Sequence, residues 1–93
     1  MKDNMIRIAI GQINCTVGDI NGNKNKILEY ILKGESIGTD IICFPELAIT
    51  GYPPEDLVLK PHFVKKNIDA IQEISKQVKE MVVVCGFINQ EED

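Results

Sequence analysis

Three short runs rich in isoleucine and valine punctuate this chain: "MIRIAIGQI" (Met5 to Ile13), "IICF" (Ile41 to Phe44) and "MVVVCGF" (Met81 to Phe87). Between successive runs lies a stretch with helical spacing. That alternation constrains the fold more than any other feature. Helices between strands act as crossovers, and crossovers build parallel sheets, so the order strand, helix, strand, helix, strand predicts an α/β segment of βαβαβ type. With 93 residues there is room for one small domain and no second one.

In the first run Ile6, Ile8 and Ile10 fall on one side, and Arg7, Ala9 and Gly11 on the other, where small residues allow a close neighbour. The turn-rich "NCTVGDINGN" follows. Ile27, Ile31 and Gly34 then recur at intervals of four and three, which predicts a helix from about Asn23 to Ile37. Glycine inside a helix costs about 1 kcal/mol relative to alanine, so Gly34 is expected where the helix lies against a neighbouring backbone. "IICF" is apolar throughout and reads as a strand buried on both faces. Prolines 45, 53 and 54 predict a stiffened, irregular loop from Pro45 to Lys60. Pro61 suits a first helical turn. Val64, Ile68, Ile71, Ser75 and Val78 mark the buried stripe of that second helix, leaving Lys65, Lys66, Asp69, Glu73 and Lys76 to water. The polar "NQEED" reads as a loop or unpaired tail.

Two sheet orders satisfy these elements. Right-handed crossovers in the order 1-2-3 put both helices on one face and leave the other apolar face for something else to cover. The order 2-1-3 puts one helix on each face. The residues alone leave both open.

A net charge of −4 with dispersed lysines gives no basic stripe for nucleic acid or anionic lipid. No stretch approaches the roughly 18 apolar residues of a membrane span, and "MKDNMIRIAI" lacks a signal-peptide core, so a cytoplasmic location is expected. Cys15, Cys43 and Cys85 are odd in number, and neither they nor His62 show metal-ligand spacing. Reduced thiols and no metal site are the expectation.

The stretch "FPELAITGYPPEDL" (Phe44 to Leu57) sets Glu46 just past the second strand. Functional groups of parallel sheets gather at the carboxyl ends of strands. Partial burial against Phe44, Leu47 and Tyr52 would raise the Glu46 pKa towards the range of a general base. A solvated charge, or a partner for backbone amides, is the plainer alternative. Glu55 and Asp56 read as turn residues.

"FPELAITGYPPEDLVLKPHF", preceded by "GQINCTVGDINGN" and "GTDII", resembles the amino-terminal part of the glutaminase domain of the glutamine-dependent NAD synthetases, a branch of the nitrilase-like carbon-nitrogen hydrolases. "FPEL" alone marks the superfamily, whereas "GYPPEDL" at this distance marks the branch. The resemblance spans nearly all of residues 1–93, read as the N-terminal portion of that domain, truncated before its end.

It implies a four-layer αββα sandwich, with both helices on one side of a sheet and a second sheet on the other. It also implies a Glu-Lys-Cys triad that releases ammonia from glutamine through a thioester. In such chemistry a thiolate attacks the amide carbon, a donor steadies the oxyanion and ammonia leaves with a proton. Glu46 matches the general base of that triad, and Tyr52 lies in the segment lining the glutamine site and ammonia exit. The family's lysine and nucleophilic cysteine lie downstream of the matched segment, so these residues alone are expected to be inactive. Cys15, Cys43, Cys85, Lys60 and His62 match neither. ATP and Mg would serve a separate synthetase domain that amidates deamido-NAD, with no cofactor in this segment. Glutamine and the remainder of the chain are the implied partners, in a homo-oligomer when intact. The other readings are a different amidase of the superfamily and a non-catalytic βαβαβ binding module.

Overall fold

The computed structural model describes residues 5–89, without the side chain of Asp56. Gln90 to Asp93, most of the expected tail, lie outside the described residues. Three parallel strands pair in the order β1 (Ile8–Ile10), β2 (Ile41–Cys43) and β3 (Val82–Val84). The crossovers between them are α1 (Ile20–Ser36) and α2 (Pro61–Gln77). The strands are shorter than the apolar runs suggest. Gly11 N–H still donates to Cys43 at 2.7 Å and Phe44 N–H to Val84 at 2.9 Å, but Pro45 then offers no donor. The central strand therefore limits how far its neighbours can pair.

The order 1-2-3 decides the open question of layering. Ile27 and Ile31 of α1 and Ala70 and Ile74 of α2 join Ile42 of β2 in one core, so both helices cover the same face. The register aligns Ala9, Ile42 and Val83 beneath them. One residue away, the rows Ile8, Ile41, Val82 and Ile10, Cys43, Val84 point to the other face. There Ile8 is 60% exposed and Ile10 69%. β2 is thus not buried on both faces as its composition suggested: Ile42 is buried, and Ile41 and Cys43 are half-covered by their strand neighbours. One parallel sheet with two helices on one face is part of the αββα sandwich that the resemblance implies.

Helix α1 starts three residues before the expected position because Asp19 caps it, its Oδ1 accepting from Gly22 N–H at 3.0 Å. It ends in a paired motif. Thr39 N–H reaches back to Gly34 at 2.9 Å and Gly38 N–H to Glu35 at 3.2 Å, a geometry that needs the left-handed φ of 75° at Gly38. Gly34 does meet a close neighbour, but it is a side chain: a β-carbon there would stand 3.1 Å from Met81 Sδ.

The buried line of α2 runs through Asn67, Ala70 and Ile74, with Phe63, Ile71 and Val78 beside it and Ser75 in solvent. It is rotated by about one residue from the expected stripe, because the two helices pack on each other as well as on the sheet. Lys24 of α1 meets Glu73 of α2 at 3.1 Å. The loop before α2 is more ordered than its prolines suggested. Pro53 and Pro54 precede a 3-10 turn over Glu55–Leu59, where their missing donors cost nothing, and Leu57 N–H donates to Pro54 at 3.1 Å. Among the described residues no helix is long and apolar enough to cross a membrane.

Candidate active site

Glu46 opens a turn over residues 46–50 at the carboxyl edge of β2. The next residue, Leu47, has a left-handed φ of 52°, a conformation that costs a side-chain-bearing residue about 1–3 kcal/mol and persists only where surroundings enforce it. Those surroundings are present. Leu47 C=O accepts from Gly51 N–H at 2.8 Å, and Thr50 C=O accepts from Gly18 N–H at 2.9 Å. A β-carbon on Gly51 would fall 2.6 Å from Val17 Cα, and one on Gly86 would fall 2.6 Å from Leu47 N. The turn is wedged between two other backbone segments, one following β1 and one following β3.

Ala48, Ile49 and Thr50 are fully buried, yet Glu46 itself is exposed. The expected partial burial is absent because its intended neighbours face elsewhere. Phe44 turns its ring over Gly11, where a β-carbon would leave no room, and Tyr52 is 66% exposed after the turn. The Tyr52–Pro53 peptide is cis. Among the described residues no Lys, Arg or His forms an ion pair with Glu46.

None of the thiols answers as its nucleophile. An activated cysteine has a lowered pKa. Burial instead pushes the Cys15 thiol up, against a smaller opposing pull from Lys26, and burial aided by Cys15 pushes Cys85 up to about 11. Cys43 lies on the open sheet face between Ile10 and Val84. Lys60 and His62 are exposed at the start of α2. Among the described residues no group of three or more His, Cys, Asp or Glu converges to hold a metal.

Two residues that the sequence reading passed over support these loops. Asn23 of α1 is fully buried: its Nδ2 donates to the carbonyls of Thr16 at 2.9 Å and Ile49 at 2.8 Å, while Oδ1 accepts from Thr16 N–H at 2.9 Å. Asn67 of α2 is also fully buried and pairs with both backbone groups of Ile88, its Oδ1 accepting from Ile88 N–H at 3.0 Å. A signal was available. Asn23 sits three residues after Ile20 and four before Ile27, and Asn67 three before Ala70 and seven before Ile74, so each occupies a core position of its helix.

A carboxylate on a fixed turn at the carboxyl edge of a parallel sheet is equipped to accept a proton from a group brought to it. Residues 7–93 match the family described as carbon-nitrogen hydrolase. The chain belongs to the carbon-nitrogen hydrolases. Over 90 residues this hydrolase chain is 38% identical to the glutamine-dependent NAD(+) synthetase of Thermotoga maritima, covering 95% of its own length and 16% of that protein. Over 85 residues it is 42% identical to the glutamine-dependent NAD(+) synthetase of Aquifex aeolicus, covering 89% of itself and 15% of the relative. The crystal structure of a glutamine-dependent NAD(+) synthetase from Cytophaga hutchinsonii superposes with a TM-score of 0.79 at 35% identity, over 84% of this chain and 13% of that one. The hydrolase chain therefore spans about one-sixth of the length of the curated relatives it matches.

Proposed function

We propose that this carbon-nitrogen hydrolase chain forms the first part of a glutamine-hydrolysing domain in a glutamine-dependent NAD synthetase, with Glu46 as its general base. One observation carries the reading: Glu46 stands on a strained turn wedged from both sides at the carboxyl edge of β2. Similarity to proteins named glutamine-dependent NAD(+) synthetases supports the choice of glutamine as the substrate. Glu46 takes the proton of a cysteine supplied by the rest of the longer protein, and the thiolate attacks the glutamine side-chain amide. Glu46 returns that proton to the amide nitrogen, which leaves as ammonia, and water then releases glutamate from the thioester. The exposed Tyr52 ring lines the glutamine side of this site. The ammonia passes to a synthetase domain using ATP and Mg, in a cytoplasmic homo-oligomer.

The test uses the longer protein with Glu46→Gln. Removing a general base costs about 10²–10⁴-fold in turnover. Glutamine-driven NAD synthesis is expected to fall by that factor, with synthesis from added ammonium retained and the melting temperature unchanged. Glutamine-driven turnover within twofold of the parent would overturn the assignment of Glu46. The 93-residue chain is itself expected to release no ammonia from glutamine, since Cys15 and Cys85 are held protonated and Cys43 faces the open side of the sheet.

A further inference from the structure

We infer that Asn23 is the positioning residue for Glu46, acting through the backbone of the turn that carries it; the inference rests on the reading of Glu46 as the base. An exposed side chain with no ion pair among the described residues is placed by its backbone, so the placement of Glu46 depends on residues 46–50. That turn contains the left-handed Leu47 and would relax if its anchors were loosened. Most of its anchors are backbone groups that no side-chain substitution removes: Gly51 N–H to Leu47 C=O, and Gly18 N–H to Thr50 C=O. Two side chains add to these: the Thr50 hydroxyl donates to Gly51 C=O at 3.1 Å within the segment itself, and Asn23 ties the turn to another element. Its Nδ2 holds Ile49 C=O at 2.8 Å, three residues from Glu46, and the same carboxamide holds both backbone groups of Thr16.

One rigid amide on a helix thus ties the loop after β1 to the turn after β2. Thr16 adjoins Val17, whose backbone packs against Gly51, so the second wedge on the turn also depends on Asn23. With the amide gone, Ile49 C=O loses its partner in the interior and Thr16 N–H loses its own, while Thr16 C=O keeps Asp19 N–H at 3.1 Å. A buried polar group without a partner is costly, and the available relief is an outward shift of the turn towards water. That shift moves Glu46. A displacement near 1 Å of a group that must meet a reacting proton can cost about 100-fold in rate while leaving ground-state binding nearly intact.

The experiment compares the longer protein with its N23D and N23S variants, assaying glutamine hydrolysis well below each melting temperature, with Glu46→Gln in parallel. Asn23→Asp keeps the volume and the acceptor for Thr16 but loses the donor to Ile49. Asn23→Ser is too short to bridge Thr16 and Ile49, so it cuts the tie between the two loops, while the space it leaves admits water and keeps the fold if Asn23→Asp does not. The expected result is a fall in kcat of about 10- to 100-fold with KM for glutamine within about threefold of the parent. A lowered melting temperature with kcat within twofold of the parent in Asn23→Ser would overturn the inference and leave Asn23 a stabilising residue only. Equal loss through KM alone would also overturn it. If Glu46→Gln keeps its glutamine turnover, the reading of the base has failed; if Glu46→Gln is inactive and the Asn23 variants are not, only the positioning role has.

Discussion

The two faces of the sheet differ by a single residue along each strand. Ala9, Ile42 and Val83 lie under two helices, while their immediate neighbours Ile8, Ile41 and Val82 face the open side. In composition the open row is as apolar as the covered one. Hydrophobic character therefore says that a face must be covered but not by which part of the molecule. Parallel sheets are ordinarily covered on both faces, and here the described residues cover one. The open face carries Ile8, Ile10, Val82 and Val84, each more than half exposed, a contiguous apolar surface of the kind that marks an interaction site.

The largest effect should come from the covered side. Ile74 of α2 is 2% exposed at the centre of the core, and Ile74→Ala is expected to cost about 2–5 kcal/mol, a large share of the stability of a small domain. Urea denaturation of the 93-residue chain measures this, and a loss below 1 kcal/mol would break the distinction between the faces.

A smaller effect separates the thiols. Cys85 is packed on the helix side, and burial raises its pKa from an ordinary 9.0 to about 11. Its folded pKa lies above the unfolded one, so the folded state holds the proton more tightly. The associated stability is intact below pH 9.0, declines as the pH rises and is lost above about 11. Denaturation midpoints across that window should fall in the parent and fall less in Cys85→Ala. Alkylation of Cys85 should stay slow until the pH nears 11.

The smallest effect belongs to the open side. Ile8→Thr exchanges one exposed β-branched residue for another and should change the unfolding free energy of the 93-residue chain by no more than about 0.5 kcal/mol. It should nonetheless reduce binding of a hydrophobic dye and self-association. In the longer protein the second sheet of the proposed sandwich would pack on this face, and the same substitution is then expected to cost more. Equal costs in both would show that nothing covers it.

The active-site loop and its supports were unequally legible in the residues. Glu46 was readable because a proline ends an apolar run and a carboxylate follows it, a local pattern with a known place in parallel sheets. Its exposure was not, since that depends on Phe44 turning its ring over Gly11, which follows β1. Asn23 fell in a stretch whose glycines and asparagines look like turn residues; its spacing from Ile20 and Ile27 marks a core position, but what it ties together shows only in its bonds to Thr16 and Ile49. The stripe on α2 was off by one residue for the same reason. Spacing identifies an apolar face, but contacts with α1 decide its centre line.

Taken by itself, the amino-acid sequence determined the order of elements, the helical and strand periods, the stop at Pro45 and the station of Glu46 after β2. These depend on residues within a few positions of one another, where sterics and missing donors act locally. Tertiary structure alone decided the strand order 1-2-3, the placing of both helices on one face and the burial of Asn23 and Asn67 as ties between loops. Those outcomes rest on pairings such as Asn23 with Ile49 and Asn67 with Ile88. Residues so far apart in the chain are brought together only by the sheet and by the helices packed across it.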